Sequence, residues 1–325
     1  MRPLRGAIVG LGAVARAAHL PAYRDPRVAA RLEIVAAIDP VARAAIDPGI
    51  PLLDRREALE GVGPLDFLDI CTPPAEHLDL AIWALSRGLH VICEKPVAVT
   101  RAEAQRLGDA ARAASRVVMA CHQHRYSPAW RTVRSWIAAG KIGRFHLAEI
   151  RVHRPRADPG IAVAKVPWRG RAASALGGVL LDHGPHVLAE LLAIAGPPLT
   201  VRAWTGRLLH RDYDVEDTAH MLLGWEDRSA SISLTWAAQH RATEARFLGD
   251  RGTITWIDGA LRCDEGEHSE VVDVTQAIDK AAYPGWFAEL FLDFARAIEA
   301  RSIEAPLNEI AAVAELLERI AAAAV

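Results

Sequence analysis

A chain of 325 residues with 51% hydrophobic and 24% charged side chains is long enough for two domains, each with its own core, and is not a disordered polymer. Its formal net charge is −2 and its basic residues are scattered, so no field recruits nucleic acid or an anionic membrane. No apolar run reaches the roughly 18 residues of a membrane span, and a strand pattern begins within about six residues of Met1, too early for a signal peptide. The expected partner is a small molecule and the expected location the cytoplasm. Cysteines 71, 93, 121 and 263 have neither paired metal-ligand spacing nor the density of a disulfide scaffold, and read as free thiols.

In chain order, an apolar run at 5–10, a helical stretch at 13–24 and a second run at 32–38 ending in Asp39 form a βαβ unit. Strand patterns at 66–71, 89–93 and 116–121 then alternate with helical ones at 75–87 and 100–114, the rhythm of a doubly wound parallel sheet. The pattern changes after Tyr126-Ser127-Pro128: a helix at 128–139, a strand at 144–153 and a helix at 177–195 precede short runs at 200–209, 217–225, 229–237, 243–248 and 252–257. Turn signals such as Gly249-Asp250-Arg251-Gly252 separate these runs, which predicts a mainly antiparallel sheet. Helices at 285–299 and 307–324 close the chain. The fold class expected is α/β: an N-terminal Rossmann domain over 1–122 and an α+β domain with an open, mainly antiparallel sheet over 123–325.

Gly10-Leu11-Gly12-Ala13-Val14-Ala15 fits the dinucleotide fingerprint with alanine in the third glycine position. Gly10 makes the tight turn, Gly12 admits the pyrophosphate, and the helix N-terminus beginning at Ala13 and Val14 faces the phosphates. Asp39, at the carboxyl end of the second strand, either accepts hydrogen bonds from the adenosine ribose and repels a 2′-phosphate, or caps the turn before Pro40. The first reading favours NAD, with NADP admitted by the nearby Arg43. Thr72-Pro73-Pro74 follows a strand on the sheet's carboxyl edge, where open α/β folds bind ligands. Lys95, between Glu94 and Pro96 at a strand end, is costly unless it meets an oxygen atom, or else it snorkels to solvent. Asp182 and His186, four apart, share a face if 177–195 is helical, so a carboxylate and an imidazole can meet one substrate; His183 is offset by about 100°. Arg151-Val152-His153-Arg154-Pro155-Arg156 is a basic run at a strand end, either a solvated face or a receiver of a substrate anion through residues such as His153.

With Thr72-Pro73, Glu94-Lys95-Pro96 and Gly177-Gly178 to His186 in this order, the chain resembles the glucose-fructose oxidoreductase and inositol dehydrogenase (Gfo/Idh/MocA) superfamily over about residues 5–255. The resemblance implies that Thr72, Pro73 and His77 line the dinucleotide and that Glu94 contacts it near the nicotinamide ribose. It implies that Lys95 holds the reacting hydroxyl, that His186 is the base, and that Asp182 orients substrate and steadies the imidazolium. Trp168-Arg169 would reach the cofactor or substrate rim, and Tyr126 would neighbour the substrate. Position 124, often Arg or Asn in relatives, is His here, and the role of His183 is open. Relatives often pair through the outer face of the second sheet, so a homodimer or homotetramer is expected.

The activity implied is transfer of a hydride between a ring secondary alcohol of a sugar or cyclitol and NAD. A glycosidase-type enzyme that oxidises its substrate transiently is the competing reading, and a non-catalytic dinucleotide sensor a third. A metal shell of Asp182, His183 and His186, with His122 and His124 nearby, is weighed against these; no metal is expected, because the superfamily's alcohol oxidation needs none.

Overall fold

The computed structural model describes residues 2–41, 49–157, 167–277 and 279–325; Arg43 lies outside them. In chain order the elements are β1 (Leu4–Val9), a π-helical turn (Ala15–His19), α1 (Leu20–Tyr23), α2 (Pro26–Ala29), β2 (Leu32–Ile38), β3 (Leu52–Leu53), β4 (Phe67–Ile70), α3 (His77–Ser86), β5 (His90–Cys93), α4 (Arg101–Ala114) and β6 (Val118–Ala120). The strands form one parallel sheet in the order β3-β2-β1-β4-β5-β6. Its direction of winding reverses between β1 and β4, which places a ligand crevice at their carboxyl ends. Central strands are buried on both faces, which is why they read as mainly apolar runs, with Asp69 the buried exception in β4. Helix α4 begins in a capping box in which Thr100 accepts from Glu103 N and the Glu103 carboxylate accepts from Thr100 N.

The second series comprises α5 (Pro128–Ala138), β7 (Phe145–His153), α6 (Ala172–Ala175), α7 (Val179–Ala195), β8 (Thr200–Gly206), β9 (Thr218–Gly224), β10 (Ser229–Thr235), β11 (Ala242–Gly249), β12 (Gly252–Ile257), β13 (Ala260–Glu265) and β14 (His268–Asp273). Its eight-stranded sheet runs β14-β13-β12-β11-β7-β10-β9-β8, antiparallel except where β7 lies beside β10. Alternate residues point to opposite faces. Ala148, Ile150 and Val152 are buried with Ala230, Ile232 and Leu234, on the face that α7 covers, while Glu149 and Arg151 align with Ser231 and Ser233 on the other face.

Strands β13 and β14 have no counterpart among the strands expected from sequence. Both are rich in charge: β14 is the sheet edge, where charge resists pairing with another chain, and in β13, which lies between β12 and β14, only Leu261 and Cys263 are buried. The chain ends with α8 (Tyr283–Glu299) and α9 (Glu304–Ala323). The molecule divides into Met1–His122 with Tyr283–Ala314, and Gln123–Ala282 with Glu315–Val325. Residues 283–314, expected in the second domain, thus belong to the first unit. The reason is aromatic: Phe287 packs on His19 at 4.3 Å between ring centroids, Phe291 stacks on Tyr23 at 4.4 Å, and Phe294 meets Phe67 edge-on at 5.8 Å. Each phenylalanine contributes roughly 1.5–3 kcal/mol by burial.

One half-buried histidine is expected to make the fold acid-sensitive. The ring Nδ1 of His90 accepts a hydrogen bond from Val117 N, so the neutral ring is the one that fits. Burial, aided by Arg116, pushes its pKa down to about 4. The unfolded chain then binds the proton more readily than the folded one, so stability falls as pH drops from the ordinary histidine value of about 6.5 towards 4. His90→Asn keeps an acceptor and removes the titration. The drop in thermal midpoint between pH 7.5 and pH 5 is expected to shrink in this variant; an unchanged drop means that other groups carry the acid sensitivity.

Candidate active site

Backbone pairing aligns four strand ends of the first unit. Gly10 N bonds to Ile38 O, Cys71 N to Val9 O and Glu94 N to Ile70 O, each at 2.7–2.8 Å. The fingerprint turn, Asp39, Thr72 and Glu94-Lys95 therefore share one edge of the sheet. Gly10 has φ +89°, and a Cβ there would lie 2.8 Å from the Cys71 carbonyl. A Cβ on Gly12 would meet nothing within 4 Å, so the second glycine faces open space, as a pyrophosphate cradle requires. Ala13 and Val14, both half-buried, begin the helix behind it. The Asp39 carboxylate accepts from Leu11 N and Val41 N at 2.8 Å each, so it braces the fingerprint turn and the next one. It remains half-exposed at the β2 end. The Thr72 hydroxyl is buried with no hydrogen-bond partner among the described residues. These features fit a dinucleotide along this edge.

His77 is fully buried, with Nδ1 2.8 Å from Pro96 O and Nε2 2.8 Å from Thr72 O. Both ring nitrogens are thus taken up by backbone, and the residue pins the Thr72 loop to the Lys95-Pro96 segment. Glu94 is buried and its Oε2 accepts from Lys95 N at 3.2 Å; Lys95 itself is half-buried.

In the second unit, helix α7 carries Asp182, His183 and His186. Its N-terminus is held by Glu216, whose carboxylate accepts from Gly178 N (2.9 Å) and Leu180 N (3.1 Å). Gly178 has to be glycine, because a Cβ would lie 1.8 Å from Glu216 O. Burial raises the Glu216 pKa, against the pull of those backbone donors. Asp182 and His186 share a helix face by spacing, and Glu190 continues it one turn on. Asp182 lies 3.6 Å from Arg169 Nε and 3.6 Å from His183 Nε2, so the structure brings Arg169 and His183 to the same carboxylate. Trp168 stacks under that guanidinium at 4.3 Å. The rings of His186 and His124 lie parallel, 3.9 Å apart with 4° between planes. Arg134 of α5 braces this pair: it donates to Glu190 Oε2 and to Arg125 O, tying the 123–126 turn, with half-buried Tyr126, to α7.

His153 goes elsewhere. It sits on the open face of the sheet with Nε2 3.3 Å from Ser233 Oγ, away from the face that α7 covers. Burial of its ring lowers its pKa. Side-chain triads with donor atoms close enough to share an ion are, among the described residues, His19-Asp69-Cys71 and His19-Glu94-Cys121. Asp182, His183 and His186 do not form such a set, and His122 instead meets Glu309 at 2.6 Å. No role for His19 is expected from sequence, although Asp69 inside the apolar run Phe67-Leu68-Asp69-Ile70 signals a buried partner.

A doubly wound sheet with a glycine turn open at its carboxyl edge, followed by an α+β domain with an open sheet, is an architecture in which a dinucleotide binds at the carboxyl ends of the parallel strands. Residues 4–122 match the model of an oxidoreductase family with an NAD-binding Rossmann fold, and residues 130–255 match the GFO/IDH/MocA C-terminal domain. The chain is 30% identical over 303 residues to a putative UDP-kanosamine synthase oxidoreductase subunit of Amycolatopsis mediterranei, covering 84% of this chain and 80% of that one. It is 30% identical over 202 residues to D-glucoside 3-dehydrogenase of Escherichia coli, covering 60% of this chain and 55% of the relative. An inositol dehydrogenase homologue from Azotobacter vinelandii, solved with NAD+, shares the fold with a TM-score of 0.81 at 20% identity, covering 99% and 95% of the two chains. The protein belongs to the Gfo/Idh/MocA family of oxidoreductases and carries its NAD-binding Rossmann domain. No described helix is long and apolar enough to cross a membrane.

Proposed function

We propose that the protein is an NAD-dependent dehydrogenase acting on a ring secondary alcohol of a sugar or cyclitol, with NADP as a weaker alternative. Bound NAD supplies the hydride acceptor; this chain supplies orientation and proton transfer. Lys95 Nζ holds the reacting hydroxyl, His186 takes its proton as the ring carbon gives up hydride, and Asp182 steadies the imidazolium so formed. Asp39 receives the adenosine ribose, Thr72, Pro73 and Glu94 line the dinucleotide, His77 holds that lining in place, and Trp168, Arg169, Tyr126 and His183 border the substrate. The observation that carries this reading is α7: a helix capped by Glu216 presents a carboxylate and an imidazole four residues apart, with Arg169 on the carboxylate and His124 on the imidazole. Supporting it, relatives at 30% identity bear the names of a glucoside dehydrogenase and a nucleotide-sugar oxidoreductase.

The test is a panel of sugars, cyclitols and uronates assayed for NADH accumulation before and after exhaustive chelation. A substrate oxidised with net NADH, at a rate unchanged by chelation, is expected. Cleavage of a glycoside with no net NADH would replace this reading with transient oxidation, and activity lost on chelation and restored by one transition metal would assign the chemistry to a metal centre.

We further propose a homodimer or homotetramer built on the open sheet face, where Trp204, Leu222, Ile257 and Val271 lie exposed.

A further inference from the structure

His19 lies seven residues past Gly12, at the end of the π-helical turn that follows the fingerprint, and is fully buried. Its Nδ1 is 2.9 Å from Asp69 Oδ2 and its Nε2 is 3.0 Å from Glu94 Oε1. Tyr23, one turn on, donates to the same Asp69 oxygen at 3.0 Å, and Phe287 and Phe291 seal the ring from solvent. A neutral imidazole has one N–H and would turn a lone pair towards one of the two carboxylates. The imidazolium donates to both. Burial alone would lower the His19 pKa, but the charge of Asp69 and hydrogen bonding with Asp69, Cys121 and Glu94 raise it well above the usual histidine value. Burial likewise works against the Glu94 carboxylate, and the His19 partner holds its pKa below the ordinary one.

We infer that His19 is a positioning residue for the Glu94-Lys95 segment: the imidazolium, aimed by Asp69, fixes one Glu94 oxygen so that the other accepts from Lys95 N. The lysine's backbone is thereby tied to the helix behind the glycine turn, and the two halves of the cofactor edge are set by one side chain. This inference rests on the reading of Lys95 as the residue that holds the hydroxyl.

Two substitutions separate the two ends of the ring. In His19→Gln the amide reaches the Nε2 position and keeps a donor for Glu94; in His19→Asn it occupies the Nδ1 position and keeps only Asp69. Both variants lose a buried charge, so similar drops in thermal midpoint are expected. The kcat/KM of the Asn variant is expected to be roughly 10- to 100-fold below that of the Gln variant, the worth of one hydrogen bond to a charged group. Equal kcat/KM in the two would mean that His19 serves stability alone and would overturn the inference. The wild-type enzyme gives a check that needs no variant to fold: in the assigned nitrogen-15 spectrum of the histidine rings, the His19 ring, told apart from buried His77, is expected to keep both ring N–H groups at pH 7.5, shielded from exchange. Its absence overturns the inference as well. If Lys95→Ala retained full turnover while the doubly protonated ring was present, the reading of Lys95 would fail and the hold of His19 on Glu94 would stand.

Discussion

Turnover is expected to fall roughly 10²- to 10⁴-fold in His186→Asn, the range that positioned acid–base catalysis supplies. Asparagine is chosen because His186 is buried against His124; a residue of similar size leaves that neighbour supported and the helix packed. Cofactor binding, measured by titration with NADH through its nicotinamide fluorescence, should be nearly that of the wild type, since the proton acceptor stands on α7 and the dinucleotide edge on the parallel sheet. Lys95→Ala should lose turnover on a similar scale with its effect on both kcat and KM, because an oriented substrate contact is removed. His183→Ala is the control: its ring is 3.6 Å from the far oxygen of Asp182 and is expected to matter less. If His183→Ala is the crippling change and His186→Asn the mild one, the base has been assigned to the wrong histidine.

The two fingerprint glycines should fail in different ways. Gly10→Ala forces a side chain to adopt φ +89° and to press against the Cys71 carbonyl, so the folded protein itself is destabilised, by about 1–2 kcal/mol for the backbone conformation alone. Gly12→Ala meets no protein atom, and its thermal midpoint without cofactor should stay close to that of the wild type. Yet its methyl group occupies the space into which the pyrophosphate is proposed to fit, so NAD affinity should drop at least tenfold, about 1.4 kcal/mol. Wild-type NAD affinity in Gly12→Ala would move the phosphates away from this turn.

Periodicity made the parallel sheet legible, because strands covered by helices on both faces are mainly apolar, and β1, β2, β4 and β5 carry near-continuous apolar runs, interrupted at Arg5, Glu33, Asp69 and His90. Asp39 beside the glycine turn was legible from its place at a strand end, whereas Arg169 was expected only from the family resemblance and His183, offset by about 100° along the helix, was not expected beside the Asp182 carboxylate where the structure puts both. What escaped was long-range. His19 and Glu94 are 75 residues apart and Arg134 and Glu190 are 56 apart, and a single sequence carries no record of which buried charges meet. His153 shows the other limit: a basic run identifies a polar strand end but leaves open which face of the sheet a residue occupies, and a shift of one position reverses it. Strands β13 and β14 escaped because they are rich in charge and bury few side chains, Leu261 and Cys263 in β13.

The route of the chain also sets an order of assembly. Phe287, Phe291 and Phe294, on which His19, Tyr23 and Phe67 rest, emerge from the ribosome only after all of residues 123–282. Until then the amino-terminal residues lack the aromatic partners on which His19, Tyr23 and Phe67 rest. The cofactor-binding half, first to be synthesised, is thus the last to be finished, and a fragment cut after His122 carries the whole fingerprint without the helix that closes its core.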